Sequence, residues 1–127
     1  LTGYIAGSYG TRLLANLGAE VLKIESFAGD GFRQNSAAFQ GWNQGKQGMI
    51  LNLKDPEGLA IFHDLVKDSD IVAENFRGGI AKRLKVDYED LRKINPSLIY
   101  STVTGYGSSG PSSHLPKIGR ASCRERV

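Results

Sequence analysis

The chain has 127 residues, with sixteen Lys and Arg against thirteen Asp and Glu and a formal charge of +3, a length that suits one small domain or a piece of a larger one. Three arginines and one glutamate sit in the last ten residues; without them the balance falls to +1, and charge gives no case for a nucleic-acid partner. The only cysteine, Cys123, lies in the same stretch. Residues 1–117 therefore offer no disulfide framework or cysteine-based metal site, which fits a cytoplasmic protein, and no apolar run reaches the ~18–20 residues that would span a membrane.

In chain order, residues 6–17 are predicted to be a helix, with Leu13, Leu14 and Leu17 as its apolar face and Gly18 placed to end it. Residues 19–25, Ala-Glu-Val-Leu-Lys-Ile-Glu, alternate like a strand. Residues 26–48 show little periodicity and much Gly, Asn and Gln. They are expected to be a long loop, and such loops are often functional. Residues 49–53 form a short apolar segment. Asp55-Pro56-Glu57 starts a helix, with Asp as N-cap and Pro in the first turn. Leu59, Phe62, Leu65 and Val66 share one face of it, and it should stop near Asp68-Ser69. A strand follows at residues 70–73, ending at Glu74-Asn75-Phe76. Asp87 caps another helix, with Leu91 and Ile94 inward, which must end before Pro96. Residues 98–103 form a third strand, running into Thr104-Gly105-Tyr106-Gly107.

Residues 118–127 are the in-frame translation of ATC GGA AGA GCG TCG TGT AGG GAA AGA GTG, which matches a common sequencing adapter. The expected organisation is thus a partial domain over 1–117 and a non-native read-through over 118–127. Leu1 in place of Met adds the expectation that the true start is missing.

Helices alternating with strands argue an α/β fold with a parallel sheet. In such sheets ligands bind beyond the carboxyl ends of the strands. Here those ends are Glu25, the Glu74–Arg77 turn and the Thr104–Gly107 turn, all expected on one rim. Other motifs are weaker. Gly41-Trp42-Asn43-Gln44-Gly45-Lys46 is one residue short of a phosphate loop, and no Ser or Thr follows the Lys. Gly3, Gly7 and Gly10 lack the dinucleotide spacing. They fit equally a tight entry into the first helix and a helix N-terminus whose amides face a ligand. His63 has no partner that would make it a ligand, and a structural role is expected.

Several blocks together resemble class III CoA-transferases of the formyl-CoA and carnitine CoA-transferase type. Residues 14–25, LANLGAEVLKIE with its leading Leu13, are similar to the family's "LLADLGAEVIKIE". Gly29-Asp30 followed by Arg33 is similar to its next signature. Asn43-Gln44-Gly45-Lys46 leading to Leu51-Asn52-Leu53-Lys54 resembles "NRGKxSIxLDLK". Residues 70–77, DIVAENFR, resemble "DVVxENFRPG", with Gly78 for Pro. Asn95-Pro96-Ser97-Leu98-Ile99-Tyr100 and Gly105-Tyr106-Gly107 with Gly110-Pro111 complete the series, which runs from Leu1 to about Pro116.

The resemblance implies a Rossmann-like parallel sheet with helices, the incomplete N-terminal part of a larger CoA-transferase fold whose two chains interlock as a homodimer. It implies coenzyme A and acyl-CoA as substrates, a carboxylic acid as partner, and no permanently bound cofactor or metal. The catalytic aspartate would lie beyond this chain, so the piece alone is expected to be inactive. Carried over residue by residue, Ile5 and Ala6 would line the CoA and active-site region. Leu51, Asn52, Leu53 and Lys54, with Asn75, Phe76 and Arg77, would contact CoA, and Arg83 would pair with its phosphates. Ile5 stands where one branch has Gln and Ser26 where it has Arg; both speak against a formyl-CoA/oxalate pair. A 2-methylacyl-CoA racemase of the same family and a non-catalytic CoA- or nucleotide-binding module are the rival readings. Gly105-Tyr106-Gly107 and Asn75 favour transfer over racemisation.

Overall fold

A computed structural model describes residues 1–107 and 110–113. The expected non-native stretch, 118–127, and His114 lie outside the described residues. The first element, α1 (Ala6–Asn16), ends where Gly18 takes φ +97, a conformation that suits glycine because it has no Cβ to clash. β1 (Leu22–Glu25) follows and pairs in parallel with β2 (Gln47–Ile50). Between them stands α2 (Ser36–Asn43), whose N-cap Asn35 accepts the amide of Ala38 at 3.2 Å. α3 (Pro56–Lys67) starts at Asp55, whose carboxylate accepts the amides of Glu57 and Gly58. β3 (Ile71–Glu74) pairs in parallel with β4 (Ile99–Thr102), across a short α4 (Ile80–Arg83) and α5 (Tyr88–Ile94).

The α/β class and the parallel pairing therefore match the reading of the sequence, with three differences. The parallel strands fall into two two-stranded sheets, β1-β2 and β3-β4. The expected loop over 26–48 contains α2 and the start of β2. α4 was not foreseen; at four residues it is too short to show a helical period.

The core gathers Phe62 and Val66 of α3, Leu91 of α5, Val72 of β3, Ile24 of β1, and Val86 and Leu98 from the connections. The expected faces of α3 and α5 are thus the buried ones. The leucine face of α1 is a correction: Leu13 and Leu14 are exposed, and Leu17 is 85% exposed. α1 instead buries Gly7 and Ser8. Small residues let that helix lie close, and a Cβ on Gly7 would come within 2.7 Å of the Thr2 side chain. Asn95 links α5 to the end of α3. Its Nδ2 donates to the carbonyls of Val66 and Ser69, and its Oδ1 accepts from the Ser97 amide. Asn at this position satisfies chain-end carbonyls that would otherwise be buried without partners. Among the described residues no helix is long and apolar enough to cross a membrane.

Candidate functional site

The carboxyl ends of the strands open into one cleft of about 1190 Å³. The parallel ladders deliver the chain to it. The Leu51 amide donates to the Glu25 carbonyl at the end of β1, and the Val103 amide to the Glu74 carbonyl at the end of β3. Glu25, Asn75–Arg77 and Thr104–Tyr106 all line this cleft, so the three expected strand ends share one rim. Of the ten expected contact positions, Ile5, Ala6, Leu51, Asn52, Leu53, Lys54, Asn75, Phe76 and Arg77 line it. Arg83 does not. It stands exposed on α4, between Ile80 and Leu84, which do line the cleft.

A buried polar network holds the floor. Lys23 (4% exposed) donates to Asp30 Oδ2 at 2.9 Å and to the Thr2 carbonyl at 2.7 Å. Asp30 Oδ1 accepts the amides of Phe32 at 2.9 Å and Tyr4 at 3.3 Å. Burial alone would raise the Asp30 pKa, but these amide bonds and the Lys23 ammonium outweigh it and hold the carboxyl below its ordinary value. Glu25 makes a two-bond pair with Arg33, at 2.7 Å to Nε and 2.8 Å to Nη2, and accepts the Asp30 amide at 2.9 Å. Burial again pushes its pKa up, and the Arg33 and amide bonds with the nearby cations bring it down. Both carboxylates are thus spent on structure.

Asn75 clasps the entry to α1. Its Oδ1 accepts the Gly3 amide at 2.9 Å and its Nδ2 donates to the Gly3 carbonyl at 2.7 Å. Next in the chain, Tyr4 has φ +58, an uncommon and costly conformation for a residue with a Cβ. These bonds favour the tight-entry reading of the Gly3 and Gly7 segment. Lys46 of the rejected phosphate loop donates to the carbonyls of Ser8 and Trp42 and to Asn43 Oδ1. Burial and the charge of Lys23 lower its pKa to about 8. It ties α2 to α1. His63 is half-buried, with Nε2 3.0 Å from the Lys85 carbonyl.

The sequence reading overlooked the aromatic wall. The rings of Tyr4 and Phe32 meet edge to face at 5.6 Å, and those of Phe32 and Trp42 at 4.6 Å. All three line the cleft. Two of them fall in the stretch taken for loop. The Asn35-Ser36 start, with Phe39 and Asn43 at helical spacing, was the available signal for α2 and hence for Trp42.

The model of CoA-transferase family III matches residues 1–123. Acetyl-CoA:oxalate CoA-transferase of Acetobacter aceti is 44% identical over 124 residues, covering 91% of this chain and 32% of that protein. Succinate–glutarate CoA-transferase of Agrobacterium fabrum is 39% identical over 127 residues, covering 87% of this chain and 32% of that protein. Among solved structures, a hypothetical protein from Mycobacterium tuberculosis superposes with a TM-score of 0.89 at 34% identity, covering 93% of this chain and 35% of that one. A CaiB/BaiF family protein from Brucella suis gives 0.87 at 35% identity, covering 91% and 34%. The chain spans about a third of the length of these relatives. With its family match running over nearly all of its length and its fold shared with these structures, the chain belongs to CoA-transferase family III.

Proposed function

We propose that this chain forms the CoA-facing wall of an enzyme that moves CoA between carboxylic acids. The supporting observation is that nine of the ten positions nominated from the resemblance line a single cleft at the strand ends, where α/β folds bind ligands. Lys54 and Arg77 line that cleft and form no ion pair among the described residues. In this reading both meet CoA phosphates. Arg83, beside the cleft on α4, adds a charge-assisted contact where CoA leaves it.

The nucleophile is an aspartate elsewhere in the full-length protein. Its carboxylate attacks the acyl-CoA carbonyl and expels the CoA thiolate, leaving a mixed anhydride. The thiolate then attacks the aspartyl carbonyl, frees the first carboxylate and leaves an aspartyl thioester. The incoming carboxylate repeats these two steps in reverse, and the thiolate ends on the new acid. Splitting one exchange into such steps is the gain of covalent catalysis. The relatives named above act on oxalate and on succinate with glutarate, so they point to acids as the exchanging partners. The full-length protein is read as an interlocked cytoplasmic homodimer, and residues 118–127 as foreign to it, although the family match extends to residue 123.

The test is CoA exchange by the full-length protein between an acyl-CoA and a second acid, followed by mass spectrometry, with hydroxylamine trapping of the aspartyl intermediate. Solvent deuterium appearing at the α-carbon without exchange would assign a racemase instead. CoA binding with neither reaction would leave a binding module.

A further inference from the structure

The Tyr4–Phe32–Trp42 wall has no part in the CoA contacts described above, yet the fold spends several interactions on placing it. Tyr4 is 65% exposed and holds a left-handed φ of +58. Its amide is fixed by Asp30, which the buried Lys23 anchors. Gly3 before it is held by both polar atoms of Asn75. At Gly31 a Cβ would lie 3.1 Å from the Tyr4 ring, so the chain beneath the ring is kept bare. Strained backbone that the surroundings hold in place, and that presents an exposed aromatic side chain in a cleft, is a feature of ligand-contacting segments.

We propose that this wall receives the acyl body of the exchanging acid and selects acids with a flat apolar body over short dicarboxylates. The inference rests on the CoA-transfer reading. It follows from what the wall offers and what it lacks. Three rings present apolar edges and faces, which suit an aryl or similarly flat group. A second carboxylate needs a cation or several donors, since an unpaired charge is costly to bring into a closed site. Cations beside the wall are committed to other groups: Arg33 to Glu25 through two bonds, Lys23 to Asp30, Lys46 to the carbonyls of Ser8 and Trp42 and to Asn43 Oδ1, and Arg12 to the Gly41 carbonyl. The Arg33 guanidinium also lies over the Phe39 ring at 4.4 Å.

The experiment uses the full-length protein and measures binding apart from turnover. Phenylacetate, oxalate and succinate are titrated by calorimetry, and CoA is titrated separately, into wild type, Phe32→Leu, Phe32→Ala and Trp42→Ala. The expected result is that phenylacetate binds at least tenfold more tightly than either dicarboxylate. Each alanine variant should weaken phenylacetate about tenfold, Phe32→Leu should weaken it less, and CoA affinity should not change. Unchanged CoA affinity also shows that the variants fold. Tighter binding of a dicarboxylate, or phenylacetate affinity indifferent to the variants, overturns the proposal. An equal loss of CoA affinity in folded variants would assign the wall to the adenine ring and overturns it too. Phenylacetate binding as described, with no CoA exchange for any acid, would leave the wall's selectivity standing and remove the transfer reading.

Discussion

Two glycine-to-alanine substitutions within helices should have opposite effects on stability. Gly58 is buried in the first turn of α3, and a Cβ there would sit 2.4 Å from the Asn52 carbonyl oxygen and 3.0 Å from its carbon. Close contacts of carbon with carbonyl oxygen lie near 3.3–3.6 Å, so the chain must shift by roughly 1 Å. The obstacle is backbone, which no rotamer change relieves. Overpacking of this kind costs about 1–3 kcal/mol, against about 1 kcal/mol returned by the helix propensity of Ala over Gly. The net expectation is a loss of up to about 2 kcal/mol. The displaced segment, Asn52–Lys54, lines the cleft, so CoA affinity should fall as well. Gly10 in α1 has nothing within 4 Å of a Cβ. Gly10→Ala should gain about 0.5–1 kcal/mol and leave CoA affinity alone. Thermal melting and CoA titration of the two full-length variants decide the matter. A Gly58→Ala protein that melts at or above wild type would refute the reasoning, because it would mean that the contact at Asn52 is not tight.

Lys23→Met should destabilise the protein by about 3–5 kcal/mol, because it strands the buried Asp30 carboxylate without its partner. Lys23→Met with Asp30→Asn should recover part of that loss, and denaturant midpoints of the single and double variants test this. Glu25 and Asp30 have lowered folded-state pKa values, so their stabilisation is present above the ordinary carboxylate values of 4.5 and 3.8 and is lost as pH falls through the folded ones. Arg33→Gln should accordingly move the acid transition, followed by fluorescence, to higher pH. Lys46 has a folded pKa of about 8 against an ordinary 10.5. The unfolded chain binds more protons between those values, so this group makes stability rise with pH across that window, and Lys46→Met should flatten the rise. Arg83→Ala should weaken CoA binding with the melting temperature unchanged, and unchanged affinity by calorimetry would remove Arg83 from the site.

The sequence made α3 and α5 legible because their caps, Asp55 and Asp87, are local and their apolar faces repeat at helical spacing. It made the three rim segments legible because each follows a short apolar strand. It hid α2 because Ser36-Ala37-Ala38 and Gln40-Gly41 supply no apolar stripe; no residue of that helix is fully buried. It misplaced the leucine face of α1 because periodicity identifies an apolar face without saying what covers it. Here the close contact goes to Gly7 and Ser8 instead. The division into two sheets depends on which strands meet, and that pairing is a non-local choice that no single segment encodes.

The same limit explains why polar residues at the rim were easy to nominate and hard to assign. Glu25, Asp30 and Asn75 all stand where a ligand-binding residue is expected, yet their side chains are occupied by Arg33, Lys23 and the Gly3 backbone. A buried carboxylate must find such partners to stay charged, so part of the rim's chemistry goes to holding the rim together. What this leaves for a ligand is of a different kind: the exposed Lys54 and Arg77, and the rings of Tyr4, Phe32 and Trp42. If that division holds, Asn75→Ala should act through the Gly3–Tyr4 segment. Losing two neutral hydrogen bonds should cost about 1–3 kcal/mol, and the released Tyr4 should weaken acid binding more than CoA binding. A loss of CoA affinity in Asn75→Ala without loss of stability would instead make Asn75 a direct CoA contact.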